Sequence, residues 1–386
     1  MSRRVIFAAA ALGALAAAGC SSNSSSSTSA GTGTSSSAAA TSCKTSIGIE
    51  APITGSAAPV GGDQLHFAQL AVQLDNAANH TNITLVQGDT QLNPQQATTV
   101  SQQFTSNNAI VAVVGPAGSQ EVQAVGPLMG RASMPFISGS ATNPALTTGA
   151  NPTFFRVVSK DSVQGPQDAN YIVQNLKPKA IMIVDDQEVY STGLVSSMIP
   201  VFQQAGIKVD HESVSQKVTD FSALVAKVTA NTGVVVLPWQ LAANAQQFGR
   251  DLAQQHKNAV IFGTDGLYDP KSFTIGGSYV SSFGPDITGI AADAPIVQQA
   301  TAKWGNFSNF GPPTFAATHV LDEAIASVCK AGQTPSRSNV LAAVKATKES
   351  TSILGQPISF DSNGDMVNAK FFLFKINSAG KYQLMP

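Results

Sequence analysis

The sequence predicts an α/β fold built from two doubly wound parallel sheets, and three observations carry that expectation. The apolar runs 110–114, 180–184, 234–237 and 259–262 are continuous rather than alternating, as in strands buried on both faces. Segments with apolar residues at helical spacing separate them, so strands and helices alternate along the chain. The chain has 386 residues, 43% of them hydrophobic and only 12% charged, which suits two ordinary cores better than one.

Taken in order, 47–50 reads as the first strand. Loops follow at 52–55 and 61–63, and Asp63 is placed to cap a helix whose apolar face is Phe67, Leu70, Ala71 and Leu74. A second strand spans 83–86 and a helix 94–104. Strand 110–114, helix 120–131 and the short apolar pair Phe136 and Ile137 come next, then the run 154–158 and a polar break at 159–161. Helix 167–176, strand 180–184, loop 185–193, helix 194–204 and strand 207–210 continue the alternation. Beyond them lie helix 222–228, strand 234–237, helix 242–255, strand 259–262 with its loop 263–266, and a long helix 315–331. Segments 358–360 and 370–376 read as a closing hairpin.

The stretch 113–146 carries the strongest functional signal. Two apolar runs are each followed at once by a small, hydroxyl-rich loop, 115–119 and 138–143. A strand, a glycine loop and a helix in that order aim the free N–H groups of the helix beyond the strand end. Two such loops side by side form a cradle of donors suited to a carboxylate or another small anion. The plainer alternative is a pair of ordinary strand–helix turns.

Residues 1–19 read as a signal peptide: Arg3 and Arg4 precede an apolar core, and Ala17, Ala18 and Gly19 precede Cys20. Small residues directly before a cysteine resemble the bacterial lipoprotein processing site, which would make Cys20 a lipid anchor. An ordinary secretory signal cut nearby is the alternative. Segment 20–45, almost entirely Ser, Thr, Ala, Gly and Asn, reads as a flexible tether. Net charge is −1, or −3 without Arg3 and Arg4, and no Lys/Arg run exists, so nucleic-acid binding is not expected. Cys43 and Cys329 remain. Export permits a disulfide, and a helix C-terminus in a parallel α/β layer returns to the end where strands begin, so the two can meet.

Catalytic patterns are missing. No His-Glu-x-x-His, no Gly-x-Ser-x-Gly and no P-loop lysine occurs, and the five histidines are scattered. Segment 361–365 begins like a calcium loop, but Met366 stands where glycine is required and Phe372 where the bidentate Glu belongs. A turn at Asn363 and Gly364 is the better reading. Neither an enzyme nor a bound cofactor or metal is expected.

Several short marks then line up: Thr54-Gly55, Gly115-Pro116 with Ser119, Ser140-Ala141-Thr142, Phe155-Arg156 with Asp161, Gln164-Gly165, Asp185-Asp186 with Tyr190 and Gly193, Asp220-Phe221-Ser222, Gly263 with Asp265, and Asn363-Gly364-Asp365. In this order the chain resembles the type I periplasmic solute-binding proteins, and more narrowly the leucine/isoleucine/valine-binding family that serves ABC importers. The likeness runs from about residue 46 to 375. It implies two lobes, 46–158 with 286–354 and 159–285 with 355–386, joined by crossings near 157–160, 283–286 and 353–358. It also implies that Ser119, Gly118 and the loop Ser140, Ala141 and Thr142 hold a ligand carboxylate, that Tyr190 covers the ligand and that Asp265 accepts its ammonium. Trp239 either walls the side-chain pocket or packs in the core. The family often places an aromatic lid near Gly61-Gly62, where this chain has glycines, so the ligand is an amino acid or instead an amide, a polyol or an aromatic acid. The implied partners are that ligand, an ABC permease and, through the lipid, a membrane. A monomer is expected, working by hinge closure. A ligand-sensing module for a signalling partner is the other use of such a fold.

Overall fold

Strand and helix alternate through residues 43–385, the span described by the computed structural model. The expected signal peptide, Cys20 and the expected tether up to residue 42 lie outside the described residues. The first sheet comes from β1 (Lys44–Ala51), α1 (Ala58–Asn79), β2 (Asn82–Asp89), α2 (Pro94–Ser106), β3 (Ile110–Val114), α3 (Ser119–Arg131), β4 (Phe136–Ser138) and β5 (Phe154–Arg156). Its order is β2-β1-β3-β4-β5, with every neighbouring pair parallel. β3 is buried along its whole length, as a continuous apolar run requires. α2 starts where it does because the Asn93 side chain accepts from the backbone N–H groups of Gln95 and Gln96, with Pro94 directly behind it.

Two expectations at the start of the chain need correction. β1 begins at Lys44, inside the expected tether, because Ser46 N–H donates to Ala109 and Asn82 N–H to Cys43. α1 begins at Ala58, so Gly61 and Gly62 are helical and Asp63 is no cap. A Cβ on Gly61 would lie 2.1 Å from the Pro52 carbonyl oxygen, so glycine there lets the helix start against the loop leaving β1. Asp63 instead accepts from Ser308 N–H at 2.6 Å.

The chain then passes to a second layer: α4 (Asp161–Tyr171), β6 (Ala180–Asp185), α5 (Val189–Gln204), β7 (Lys208–Ser213), α6 (Ser222–Ala226), β8 (Thr232–Leu237), α7 (Ala242–Gln254), β9 (Val260–Gly263) and β10 (Tyr279–Ser282). α8 (Ala294–Trp304), α9 (Gly311–Lys330), α10 (Arg337–Lys345), β11 (Lys348–Glu349) and β12 (Ile358–Ser359) follow. β13 (Phe372–Ile376) and β14 (Tyr382–Leu384) end the chain. The second sheet runs β14-β13-β10-β9-β8-β6-β7. β13 and β14 are antiparallel additions to an otherwise parallel core.

α9 belongs to the first sheet. Its Val320, Leu321 and Ile325 share a core with Ile47, Ile49 and Val114, and Cys329 near its end is bonded to Cys43. Ile353, Ile358 and Met366 sit in that same core, so the third passage between sheets falls near Phe371, beyond 353–358. Val158, Phe283 and Phe371, one from each passage, pack together with Phe310 into a small apolar cluster where the chain crosses between the sheets. The expected terminal hairpin is also re-paired. β12 pairs with β11, while β13 pairs with β10 and β14. The turn at Asn363 and Gly364 closes locally, with Phe360 bridged to Met366.

Candidate functional site

In both sheets the strand order reverses once, between β1 and β3 and between β6 and β8. A crevice beyond the carboxyl ends of strands at such a point is where open α/β sheets bind ligands. Here the two crevices meet. Gln120 Nε2 donates to Gln240 Oε1 at 2.9 Å, and Asn143 Nδ2 donates to the Val189 carbonyl at 2.9 Å.

The first-sheet wall is made by the two donor loops. At the start of α3 the Glu121 carboxylate reaches back to accept from Gly118 N–H at 2.7 Å, leaving Ser119 at the mouth of the helix. Ser138 Oγ donates to the Pro116 carbonyl at 2.7 Å and accepts from the N–H groups of Ser140 and Ala141. Ser140 Oγ donates to the Ala117 carbonyl at 2.9 Å and accepts from Gln64 Nε2 at 3.1 Å. Ser119 Oγ accepts from Asn143 N–H at 3.2 Å. The loops are therefore stitched together by the hydroxyls expected to face a ligand. Ser140 is committed to that stitching, whereas Ser119 keeps its own proton to give. Thr142 is fully buried, with Oγ1 unpartnered among the described residues, and its carbonyl accepts from Asp161 N–H at 3.0 Å. The Ala141 carbonyl accepts from Arg156 Nη1 at 3.2 Å.

The second-sheet wall carries acid. Tyr190, in the first turn of α5, donates its hydroxyl to Asp265 Oδ1 at 2.8 Å and accepts from Gly266 N–H at 3.1 Å. Thr264 Oγ1 lies 2.7 Å from the same hydroxyl. Burial pushes the Asp265 carboxyl up to about 7. Burial, then the charge of Asp265, pushes Asp161 up to about 8, and neither Asp161 oxygen has a hydrogen-bond partner among the described residues. Sequence reasoning placed Asp161 in a polar break but gave it no role.

Trp239 is a core residue. Its Nε1 donates to the Val184 carbonyl at 2.8 Å, and its ring packs between Phe221 and Phe248. The next residue, Gln240, is the one that lines the cleft, because side chains alternate sides along an extended segment. Val60, Leu92 and Phe310 add an apolar side to the cavity. None of these, nor Asn143, carries a composition signal of its own. The cavity measures about 20 Å³, the room of roughly one water molecule.

Two doubly wound sheets set with their carboxyl ends facing one another across a polar pocket are the architecture of a two-lobed binding protein. Residues 44–381 match the family model described as periplasmic binding protein, and the chain belongs to that family, with its type I fold. Binding rather than catalysis is thus its role, and its place of work is extracytoplasmic. An amino acid binding protein of Pseudomonas aeruginosa is 27% identical over 350 residues, covering 88% of this chain and 92% of that one. The branched-chain amino acid transporter substrate-binding protein LivJ of Streptococcus pneumoniae, solved with isoleucine, has a TM-score of 0.78 at 24% identity, covering 89% and 99%. A solute-binding protein of an R. palustris ABC transporter, solved with benzoate, has a TM-score of 0.79 at 18% identity, covering 89% and 95%. The chain is thus a periplasmic binding protein similar to relatives named for amino acids and to others solved with an aromatic acid.

Proposed function

We propose that the protein captures an amino acid between its two sheets and presents the closed form to the permease of an ABC importer. The observation that carries this reading is the pair of buried carboxyls, Asp161 and Asp265, opposite a loop pair rich in donors. The charge of Arg156 offsets only part of the cost of burying Asp161; a buried carboxylate without a cation of its own costs several kcal/mol, and a ligand ammonium supplies that cation. The ligand carboxylate then meets Ser119 and the first free N–H groups of α3, while Tyr190 comes in from the second sheet. The bodies that rotate are taken as 46–158 with 286–366, and 159–285 with 367–385. Ligand favours closure because it touches both walls only when they are shut. At the N-terminus, Cys20 is read as the lipid anchor, which mass spectrometry of the mature N-terminal peptide tests.

The decisive experiment is calorimetric titration with leucine, isoleucine, valine, smaller amino acids and benzoate. Binding of at least one amino acid is expected; a silent amino-acid panel refutes the reading. An aromatic acid is the second reading, supported by the benzoate-bound relative and by the apolar side of Val60, Leu92 and Phe310. Benzoate carries no ammonium and would leave Asp161 and Asp265 unpaired, so benzoate binding with no amino-acid binding selects that reading instead.

A further inference from the structure

Away from the cleft, α1 and α9 pack side by side and enclose a second acidic group. His319, Asp322 and Glu323 share one face of α9, three and four residues apart. Asp75 of α1 faces them, with Asp75 Oδ1 2.9 Å from His319 Nδ1. We propose that this seam is a divalent metal site of the zinc class, held by Asp75, His319 and Glu323.

Two independent observations support it. One donor atom from each of the three residues lies within 4.8 Å of the others. Donors around one tetrahedral zinc sit roughly 3.4 Å apart, so small side-chain rotations complete the site. Asp322 is the second observation. It is 1% exposed and set carboxyl to carboxyl against Asp75, and no other group among the described residues hydrogen-bonds its oxygens. Asp75 Oδ2 and Glu349 Oε2 are likewise buried and unpartnered. Such a group of carboxylates is not placed in a protein interior without positive charge nearby.

Among the described residues, the basic side chain that reaches Asp75 is the His319 imidazole. A single imidazole faces several carboxyls, and a divalent ion bound among them supplies two positive charges. Asn79 holds the third ligand in place. Its Nδ2 donates to Glu323 Oε1 at 2.5 Å, and its Oδ1 accepts from Lys330 Nζ at 2.9 Å, the kind of outer-shell support that orients metal ligands. An imidazole mixed with carboxylates suits zinc better than calcium or magnesium, which prefer all-oxygen sites. The His319 side chain is one-third exposed, which leaves an entry path and a position for water.

The test uses the whole exported chain, stripped with EDTA, reloaded with zinc chloride and passed through gel filtration before elemental analysis. About one equivalent of zinc per chain is expected, with a zinc-dependent rise in Tm. His319→Gln and Glu323→Gln should each weaken zinc binding at least roughly tenfold and abolish the Tm rise, while amino-acid titration in the cleft is unchanged. Wild-type protein that retains well under one equivalent overturns the proposal, and this holds whatever the variants do. Variants that hold zinc as the wild type does overturn it too, since the metal then sits on other histidines. Stabilisation by calcium with no zinc retained overturns the assignment of class.

Discussion

Replacing Asp265 by Asn separates what the cleft costs the fold from what it gives the ligand. Asp265 is 2% exposed, and burial lifts its carboxyl from 3.8 to about 7. Between those two values the unfolded chain has released the proton while the folded chain keeps it. The unfolded state then binds fewer protons, so ligand-free stability falls as pH rises from about 4 to about 7. Three pH units set an upper bound of about 4 kcal/mol on that loss. Asn cannot ionise, so Asp265→Asn should make the ligand-free protein more stable above pH 7 by about 1–3 kcal/mol, a few degrees in Tm. Ligand binding should move the other way. Removing one partner of a desolvated charge pair costs about 2–5 kcal/mol. Asp161 remains to share the ammonium, so the low end applies, roughly 30- to 150-fold in Kd. Thermal melts at pH 5 and pH 8 without ligand, together with calorimetric titration of the best-binding amino acid, read both effects. Affinity within about threefold of wild type, or a melting point at pH 8 no higher than wild type, refutes the assignment of Asp265 as a buried acid awaiting an ammonium.

Other substitutions probe neighbouring parts of the molecule. A Cβ at residue 193 would lie 2.4 Å from Asn143 Nδ2 and 3.2 Å from Asp161 Oδ2; Gly193→Ala should therefore prop the clamp open, weakening ligand binding by about tenfold or more with little change in ligand-free Tm. Trp239→Phe removes the hydrogen bond to the Val184 carbonyl and should cost about 1–3 kcal/mol in denaturant melts while leaving affinity alone; a large loss of affinity would return Trp239 to the pocket. Arg156 is fully buried, with Nε 2.6 Å from Asp365 Oδ1, so Arg156→Met should lower stability by about 3–5 kcal/mol, seen as a reduced midpoint in urea. The Cys43–Cys329 bridge spans 286 residues of sequence, and Cys43→Ser with Cys329→Ser should destabilise by about 2–4 kcal/mol, matched by wild type under reducing conditions.

What the sequence makes legible here is whatever is decided locally. The runs 110–114 and 180–184 announce buried strands because every residue in them must be apolar, and both are strands in the structure. The small, hydroxyl-rich loops at 115–119 and 138–143 announce strand–helix turns because few other residues fit there. The start of α1 was missed for the opposite reason. Gly61 reads as a loop residue, yet its glycine is demanded by the Pro52 carbonyl from another segment. The terminal hairpin was mispaired likewise: alternation identifies a strand but not its neighbour, and β13 finds β10 across a gap of some ninety residues.

The site is less legible than the fold because its chemistry lies in partnerships between distant segments. Ser119, Ser140 and Thr142 are equivalent to a reader of sequence, all hydroxyls in glycine-rich turns. Their different availability follows from which hydroxyl the opposite loop consumes. Ser140 is spent on Ala117 and Gln64, whereas Thr142 Oγ1 is left unpartnered among the described residues. Asp161 and Asp265 are 104 positions apart; burial raises both carboxyls, and the nearness of Asp265 raises Asp161 further. A protein interior optimised for stability alone would not bring two such acids together. Asp265 lines a cavity reached from both sheets, and Asp161 is buried close enough to feel its charge, which is the physical reason to read the cleft as suited to a cation.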